Sequence, residues 1–332
     1  MPSAKTFKIV LVAVDVRVAL AETLWGPRRR RSKRPSDGTG GENRRFRGVA
    51  AVSSMSAAEA TIGTKHRAAS RRFGRAPTSN ATVSVVIPTL NEASNLPHVL
   101  TRIPAMVDEV VLVDGHSVDD TIAVARMVRP DIRVVLQDTR GKGNALACGF
   151  AAATCDIIVM LDADGSTDPA EIPRFVDALL DGSDFAKGSR FLPGGGSADI
   201  TGFRSAGNRL LGSVVNTLFR THYTDLCYGY NAFWRDCLPH MHVNCDGFEV
   251  ETLITVRVAR ARLAVYEVPS HEHERLNGES NLNAVRDGLR ILRTIIRERI
   301  RPGTDRTDPE AWRPQFAELY VLPAEHGPHA VI

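Results

Sequence analysis

Between residues 82 and 161, four short apolar runs alternate with segments whose apolar residues recur at helical spacing. The runs are Val83, Val85, Val86 and Ile87, stopped by Pro88; Val110–Val113, stopped by Asp114-Gly115; Ile132–Leu136; and Ile157–Leu161. Between them lie Leu96, Val99, Leu100 and Ile103, then Ile122, Ala125 and Val128, then a small-residue segment from Gly141 to Ala153. Runs that are apolar throughout suit strands covered on both faces, and parallel strands need helical crossovers to return. The expected architecture is therefore α/β, with a mostly parallel central sheet and helices on both faces.

Further along, Asp168 reads as a helix cap, with Pro169 in the first turn and Glu171 closing a capping box. Ile172, Phe175, Val176, Leu179 and Leu180 give that helix its apolar face, and Gly194, Gly195 and Gly196 suggest a mobile loop. Helices are expected near 204–219, 248–260 and 282–301, with a polar-aromatic stretch at 225–234 and a strand at 263–268. Residues 302–332 read as an irregular tail.

Charge divides the chain. Residues 1–80 carry 17 Lys/Arg against 5 Asp/Glu, and the remainder 25 against 33, so a basic arm precedes an acidic body. The arm is rich in Arg, Ser, Gly and Ala and is expected to be disordered, with Met55 available as an alternative start. Its basic residues are not interleaved with aromatic ones, so no nucleic-acid partner is expected. Five cysteines without metal-ligand spacing point to reduced thiols and a cytoplasmic location. The apolar stretch from Phe7 to Leu24 is broken by Lys8, Asp15, Arg17 and Glu22, which suits neither a membrane span nor a signal peptide.

In open α/β sheets, ligands bind beyond the carboxyl ends of the strands. Here those ends carry Pro88, Thr89, Asn91 and Glu92, then Asp114 and Ser117, then Asp162 and Asp164. One acidic strand end can be a turn or a cap; three on neighbouring strands predict a crevice lined with acceptors. Asp162 and Asp164, one residue apart after a buried strand, could share Mg²⁺ or Mn²⁺, hard cations that take oxygen ligands. The alternative is a turn in which Asp162 caps backbone amides. His271 and His273 flank Glu272 without a third ligand nearby and read as a surface loop.

The segments VSVVIPTLNEASNL, VVLVDGHSVDDT, GKGNAL and MLDADG, in this order, resemble the family 2 glycosyltransferases of the GT-A fold. FRSAGN, DLCYGYNAFWR, GFEVE and EVPSHEHERLNGESNL are similar to the polyprenyl-phosphate branch, which includes dolichol-phosphate mannosyltransferase. The resemblance spans roughly residues 82–301. It implies a Rossmann-like nucleotide-binding half joined to an acceptor half, and a GDP- or UDP-sugar donor. Pro88, Thr89, Asn91 and Glu92 match the first donor-binding strand end, and Asp114 matches a residue that contacts the base. Ser117 and Asp120 lie in the same loop. Lys142 matches a donor-side loop, where flanking glycines would let backbone approach and the ammonium would offer a point charge. Asp162 and Asp164 match the metal pair, and Arg275, Gly278 and Ser280 match an element associated with phosphate. Asn281 stands where that branch commonly has lysine. Asp225 and Glu251 are the candidates for a carboxylate base toward a hydroxyl acceptor.

The resulting expectation is an inverting, metal-dependent sugar transfer, with a polyprenyl phosphate or a soluble hydroxyl as acceptor. A nucleotide-sugar-binding or nucleic-acid-binding protein without transfer is the rival. The helix at 282–301 combines apolar residues with many arginines, so it can pack on the domain, touch the inner face of a membrane peripherally, or both.

Overall fold

The computed structural model describes residues 80–278, 283–301 and 320–323. The basic arm, Ser280 and most of the C-terminal tail lie outside the described residues.

The four apolar runs form β1 (Val83–Thr89), β2 (Glu109–Asp114), β3 (Arg133–Leu136) and β4 (Ile157–Met160). They are joined through α1 (Leu96–Leu100), α2 (Thr121–Val128) and α3 (Lys142–Ala152). After β4 come α4 (Ile172–Leu180), β5 (Phe185–Ser189), β6 (Gly196–Ser197), α5 (Gly202–Phe219), β7 (Asn231–Trp234) and α6 (Leu238–Met241). The chain continues through α7 (Val250–Arg260), β8 (Val265–Pro269), β9 (His271–Glu272), α8 (Ala284–Ile300) and β10 (Tyr320–Val321).

Among the described residues, eight strands form one sheet in the order β10-β3-β2-β1-β4-β7-β5-β8. Only β7 and β10 run against the others. Thr89 of β1 is level with Asp114 of β2, and Val86 of β1 with Met160 of β4. The polar residues that follow β1, β2 and β4 therefore emerge on one edge of the sheet. Helix α3 packs on β1, β2 and β3, and α4 on β5, β7 and β8. Small residues let α3 approach closely: a Cβ at Gly149 would sit 2.3 Å from the Val86 side chain. The core of β1 and β2 is closed to solvent, with Val85, Val86, Ile87, Val111, Leu112 and Val113 all at 0% exposure.

Several expectations change. Pro88 does not stop β1, which runs on to Thr89. The Val86 carbonyl accepts from Leu161, so residue 88 faces the same side, where β4 has already ended and no N–H is needed. Asp168 does cap, accepting from the Ala170 N–H at 2.9 Å, but Glu171 does not close a capping box. Its carboxylate instead accepts from the Ser270 hydroxyl and the His271 N–H. Of the glycines at 194–196, Gly194 turns the chain with φ of 88°, while the other two serve packing: β6 pairs with β9, and a Cβ at Gly195 would come within 2.6 Å of the Ser189 carbonyl. The stretch at 225–234 ends in the central strand β7, and β5 had no counterpart among the expected strands. Within the tail, Tyr320–Val321 adds an edge strand to β3.

Candidate functional site

A cleft of about 1090 Å³ opens along the strand ends. It is lined by Pro88, Thr89 and Glu92 after β1, Asp162 and Asp164 after β4, and Lys142 at the start of α3. Helices α5 and α8 also contribute to its wall, with Phe203, Arg204, Arg286 and Arg290.

Two cations organise the acidic lining. Lys142 Nζ lies 2.7 Å from Asp162 Oδ1 and 2.9 Å from Glu251 Oε1. Burial works against this ammonium, but the two carboxylates outweigh it and raise its pKa above the ordinary lysine value, so it stays charged. Arg275 repeats the arrangement, with Nη2 2.9 Å from Asp164 Oδ2 and Nη1 3.1 Å from Glu92 Oε1. Burial raises the Glu92 pKa despite the hydrogen bond from Asn95 and the charge of Arg275. Each cation thus bridges one strand-end aspartate to a second carboxylate. A ligand that draws either aspartate away leaves the cation with a partner.

The β1 and β2 ends are tied to each other. The Asn91 N–H donates to Ser117 Oγ at 2.9 Å, and Asn91 Oδ1 accepts from the Val118 N–H at 2.8 Å. Asn91 holds this position with φ of 56°, a left-handed conformation that asparagine tolerates. Asp114 is 1% exposed, and its Oδ2 accepts from the Ser117 N–H at 2.9 Å. Its Oδ1 is buried without a hydrogen-bond partner. A buried carboxylate oxygen left in that state is costly, and a ligand N–H would relieve it.

The glycines around Lys142 do let backbone approach. What approaches them is the chain's own backbone: a Cβ at Gly143 would stand 2.1 Å from the Cys245 carbonyl oxygen, and one at Gly141 2.0 Å from that of Asp246. The Gly143 N–H donates to the Asp246 carbonyl at 3.0 Å, which fixes the segment before α7 against the first turn of α3. Gly143→Ala should therefore destabilise the protein by about 1–3 kcal/mol through overpacking. Helix propensity alone would favour alanine by about 1 kcal/mol, so the sign of the change in a urea unfolding curve decides between the two.

Glu251 lines the cleft, but Asp225 does not. Asp225 is fully buried, its Oδ2 accepting from Arg190 Nε at 2.7 Å and its Oδ1 from Arg190 Nη2 at 3.0 Å and Asn208 Nδ2 at 2.9 Å. Burial would raise its pKa, but Arg190 outweighs this and holds it below the ordinary value. With both oxygens engaged, Asp225 is an anchor for Arg190, and the base candidacy read from sequence does not fit it. Arg190 also contacts Glu272 at 3.0 Å and lies 4.8 Å from the Tyr228 ring centroid. This Arg190 cluster was missed in the sequence because β5 was missed; a Gly-Ser-Arg at a strand end was the available signal.

Asp162 and Asp164 supply hard oxygen donors, which suits Mg²⁺ or Mn²⁺. Asp162 Oδ2 faces Gly229, where a Cβ would come within 3.1 Å of it; glycine leaves that oxygen room. Among the described residues no three His, Cys, Asp or Glu side chains form a metal-binding group. An ion held by this pair would complete its shell with water or ligand oxygens, which is the usual habit of Mg²⁺.

A profile described as Glycosyl transferase family 2 matches residues 84–238. Glycosyltransferase AglJ of Haloferax volcanii is 30% identical over 230 residues, covering 67% of this chain and 73% of the relative. The dolichol-phosphate mannosyltransferase of Pyrococcus furiosus is 32% identical, over 60% of this chain and 59% of that enzyme. The polyprenol monophosphomannose synthase of Mycolicibacterium smegmatis is 32% identical, over 60% of this chain and 80% of that enzyme. In three dimensions the chain is similar to glucosyl-3-phosphoglycerate synthase of Mycobacterium tuberculosis, solved with Mn²⁺, UDP and phosphoglyceric acid. That likeness has a TM-score of 0.55 at 24% identity, covering 69% of this chain and 82% of the synthase, and it concerns the fold. The architecture is of the GT-A type, and the chain belongs to glycosyltransferase family 2.

Proposed function

We propose that this chain transfers a sugar from a nucleoside diphosphate donor to a phosphate carried on a polyprenyl lipid, with inversion at the anomeric carbon. The observation that carries the reading is the meeting of Asp162, Asp164, Lys142, Arg275, Glu92 and Glu251 in one cleft at the strand ends. The donor base would lie against the β1 and β2 ends, where Pro88, Thr89 and Gly115 line the cleft; Asp114, buried just outside that lining, would have to be uncovered before its partnerless Oδ1 could accept an N–H. Asp162 and Asp164 would hold Mg²⁺ or Mn²⁺, which neutralises charge on a leaving diphosphate. Lys142 and Arg275 offer donors and positive charge on the same side. Ser280, expected to contribute to phosphate binding, lies outside the described residues.

The acceptor oxygen attacks the anomeric carbon as the bond to the donor phosphate breaks, and the diphosphate leaves with the electron pair. A phosphate acceptor is already ionised near neutral pH, so no proton has to be removed. Arg286 and Arg290 also line the cleft and offer positive charge to receive it, as does Arg204, which is paired with Asp199 at 2.9 Å. Two of the relatives above are named for dolichol phosphate and polyprenol products, which supports this acceptor class. Transfer to a soluble hydroxyl is the second reading, favoured by Glu251, a cleft-lining carboxylate 5% exposed that could serve as base.

A thermal-shift series with UDP and GDP, each with and without Mn²⁺, tests the donor half. One diphosphate is expected to stabilise only with metal, by about 2.7 kcal/mol at a hundredfold excess over Kd. Equal shifts without metal would count against the aspartate pair. Incubating the protein with labelled UDP- or GDP-sugars and polyprenyl phosphate should then yield a lipid-extractable sugar. If product forms only on soluble hydroxyl acceptors, the second reading replaces the first.

A further inference from the structure

Helix α8 divides its circumference into three stripes rather than two. Ile291 and Ile295 face inward with Asp287, Thr294 and Glu298, and these five are the buried residues of the helix. Ile291 and Ile295 pack with Val215, Leu226 and Val256 in a small second core. A second stripe is basic: Arg286, Arg290, Arg293 and Arg297 follow at three- and four-residue spacing and are exposed. The third is apolar: Val285, Leu289, Ile296 and Ile300 are 52%, 36%, 47% and 75% exposed, with half-buried Leu292 between them. At about 100° per residue these five fall on one face, displaced from the buried stripe by the arginines.

The apolar residues expected to pack this helix on the domain are thus largely those that do not. Only Ile291 and Ile295 of its aliphatic side chains are buried. Exposed aliphatic residues beside a row of arginines complement one kind of surface: an apolar interior beneath anionic headgroups. Continuity with the cleft points the same way. Arg286 and Arg290 of the basic stripe line the cleft, and so does Phe203 at the start of α5, which is 58% exposed. Among the described residues no helix is long and apolar enough to cross a membrane.

We propose that the apolar and basic stripes of α8 dock the protein on the surface of an anionic bilayer and set the α5–α8 mouth of the cleft against the headgroups. This rests on the lipid-phosphate acceptor reading, since only a membrane-borne acceptor needs the mouth there. The inserting side chains would be Leu289, Ile296 and Ile300, none of which lines the cleft.

Flotation of the full chain with phosphatidylcholine vesicles, with and without phosphatidylglycerol, tests the proposal. Wild type should float with the anionic vesicles and much less with the neutral ones. Leu289→Ser/Ile296→Ser/Ile300→Ser should lose at least about tenfold in binding without any change of charge, and with an unchanged thermal midpoint. Arg293→Gln/Arg297→Gln should lose about fivefold per arginine. Flotation of the triple-serine variant at the wild-type level would overturn the proposal and assign binding to another segment, such as the basic arm. Failure of wild type to float would overturn it too, as would a dimer that the serine variant dissociates without any vesicle binding. Transfer to a short, water-soluble prenyl phosphate without vesicles separates the two readings. Wild type and serine variant should be equally active there, while the variant falls behind on long-chain acceptor in anionic vesicles. Flotation without transfer to any prenyl phosphate would sink the acceptor reading alone; transfer without flotation would sink the docking surface alone.

Discussion

Asp162→Asn is expected to lower kcat/KM for sugar transfer by about 10²–10³-fold, the scale seen when one group that stabilises developing charge is removed. The substitution keeps the side-chain volume, so the β4 end should hold its shape. Its effect on the ligand-free fold should be modest, because Lys142 retains Glu251 at 2.9 Å as its partner. The selective readout is the nucleotide response: wild type should be stabilised by its diphosphate only with Mn²⁺, and the variant should lose that metal-dependent increment. Lys142→Gln is the informative control. It removes a positive charge from the same carboxylates while leaving both aspartates in place, so transfer should fall while a metal-dependent shift survives. An Asp162→Asn protein with wild-type turnover and an intact metal-dependent shift would refute the assignment of this pair.

How far the sequence reaches can be judged residue by residue. The strands β1 to β4 were legible because each is an apolar run with no competing signal, and register then placed their acidic ends together. Glu92, Asp162, Asp164, Lys142 and Arg275 were all identifiable as site candidates, although Arg275 is 183 residues from the glutamate it contacts. Their pairing was not legible, since ion pairs across such distances depend on chain paths that local patterns do not specify. Strand β5 was invisible for a definite reason. Its residues are Phe-Ala-Lys-Gly-Ser, all buried, with Lys187 at 0% exposure and its Nζ without a hydrogen-bond partner. Burial lowers the Lys187 pKa, against the pull of Asp225 and Glu267. A lysine followed by glycine contradicts both the apolar pattern and the propensity of a central strand. Glycine is required there all the same, because a Cβ at 188 would lie 2.5 Å from the Tyr230 carbonyl. Losing β5 meant losing Arg190, and without Arg190 the role of Asp225 could not be read.

Asp225→Ala should therefore register as a stability defect before it registers as a catalytic one. Removing one member of a buried ion pair typically costs about 3–5 kcal/mol, because the partner is left buried with its charge uncompensated. Arg190 keeps Glu272 at 3.0 Å, which places the expected loss near the lower end, about 3 kcal/mol. The Asn208 amide also loses its acceptor, although its own Oδ1 still accepts from the Leu226 and Cys227 N–H groups. Urea unfolding at constant m-value measures the difference. Asp225→Asn separates charge from shape and carries the pH signature. Since Arg190 depresses the folded-state pKa of Asp225, ionisation of this carboxylate adds stability that is fully present above its unfolded value near 3.9. That increment is lost as pH falls through the depressed folded value. The gap between wild type and Asp225→Asn should accordingly be constant from neutral pH to about 5 and close below about 4. A general base would behave in the opposite way. The asparagine variant would then fold as well as wild type and lose the acidic limb of its pH–rate profile, and that result would return Asp225 to the reaction.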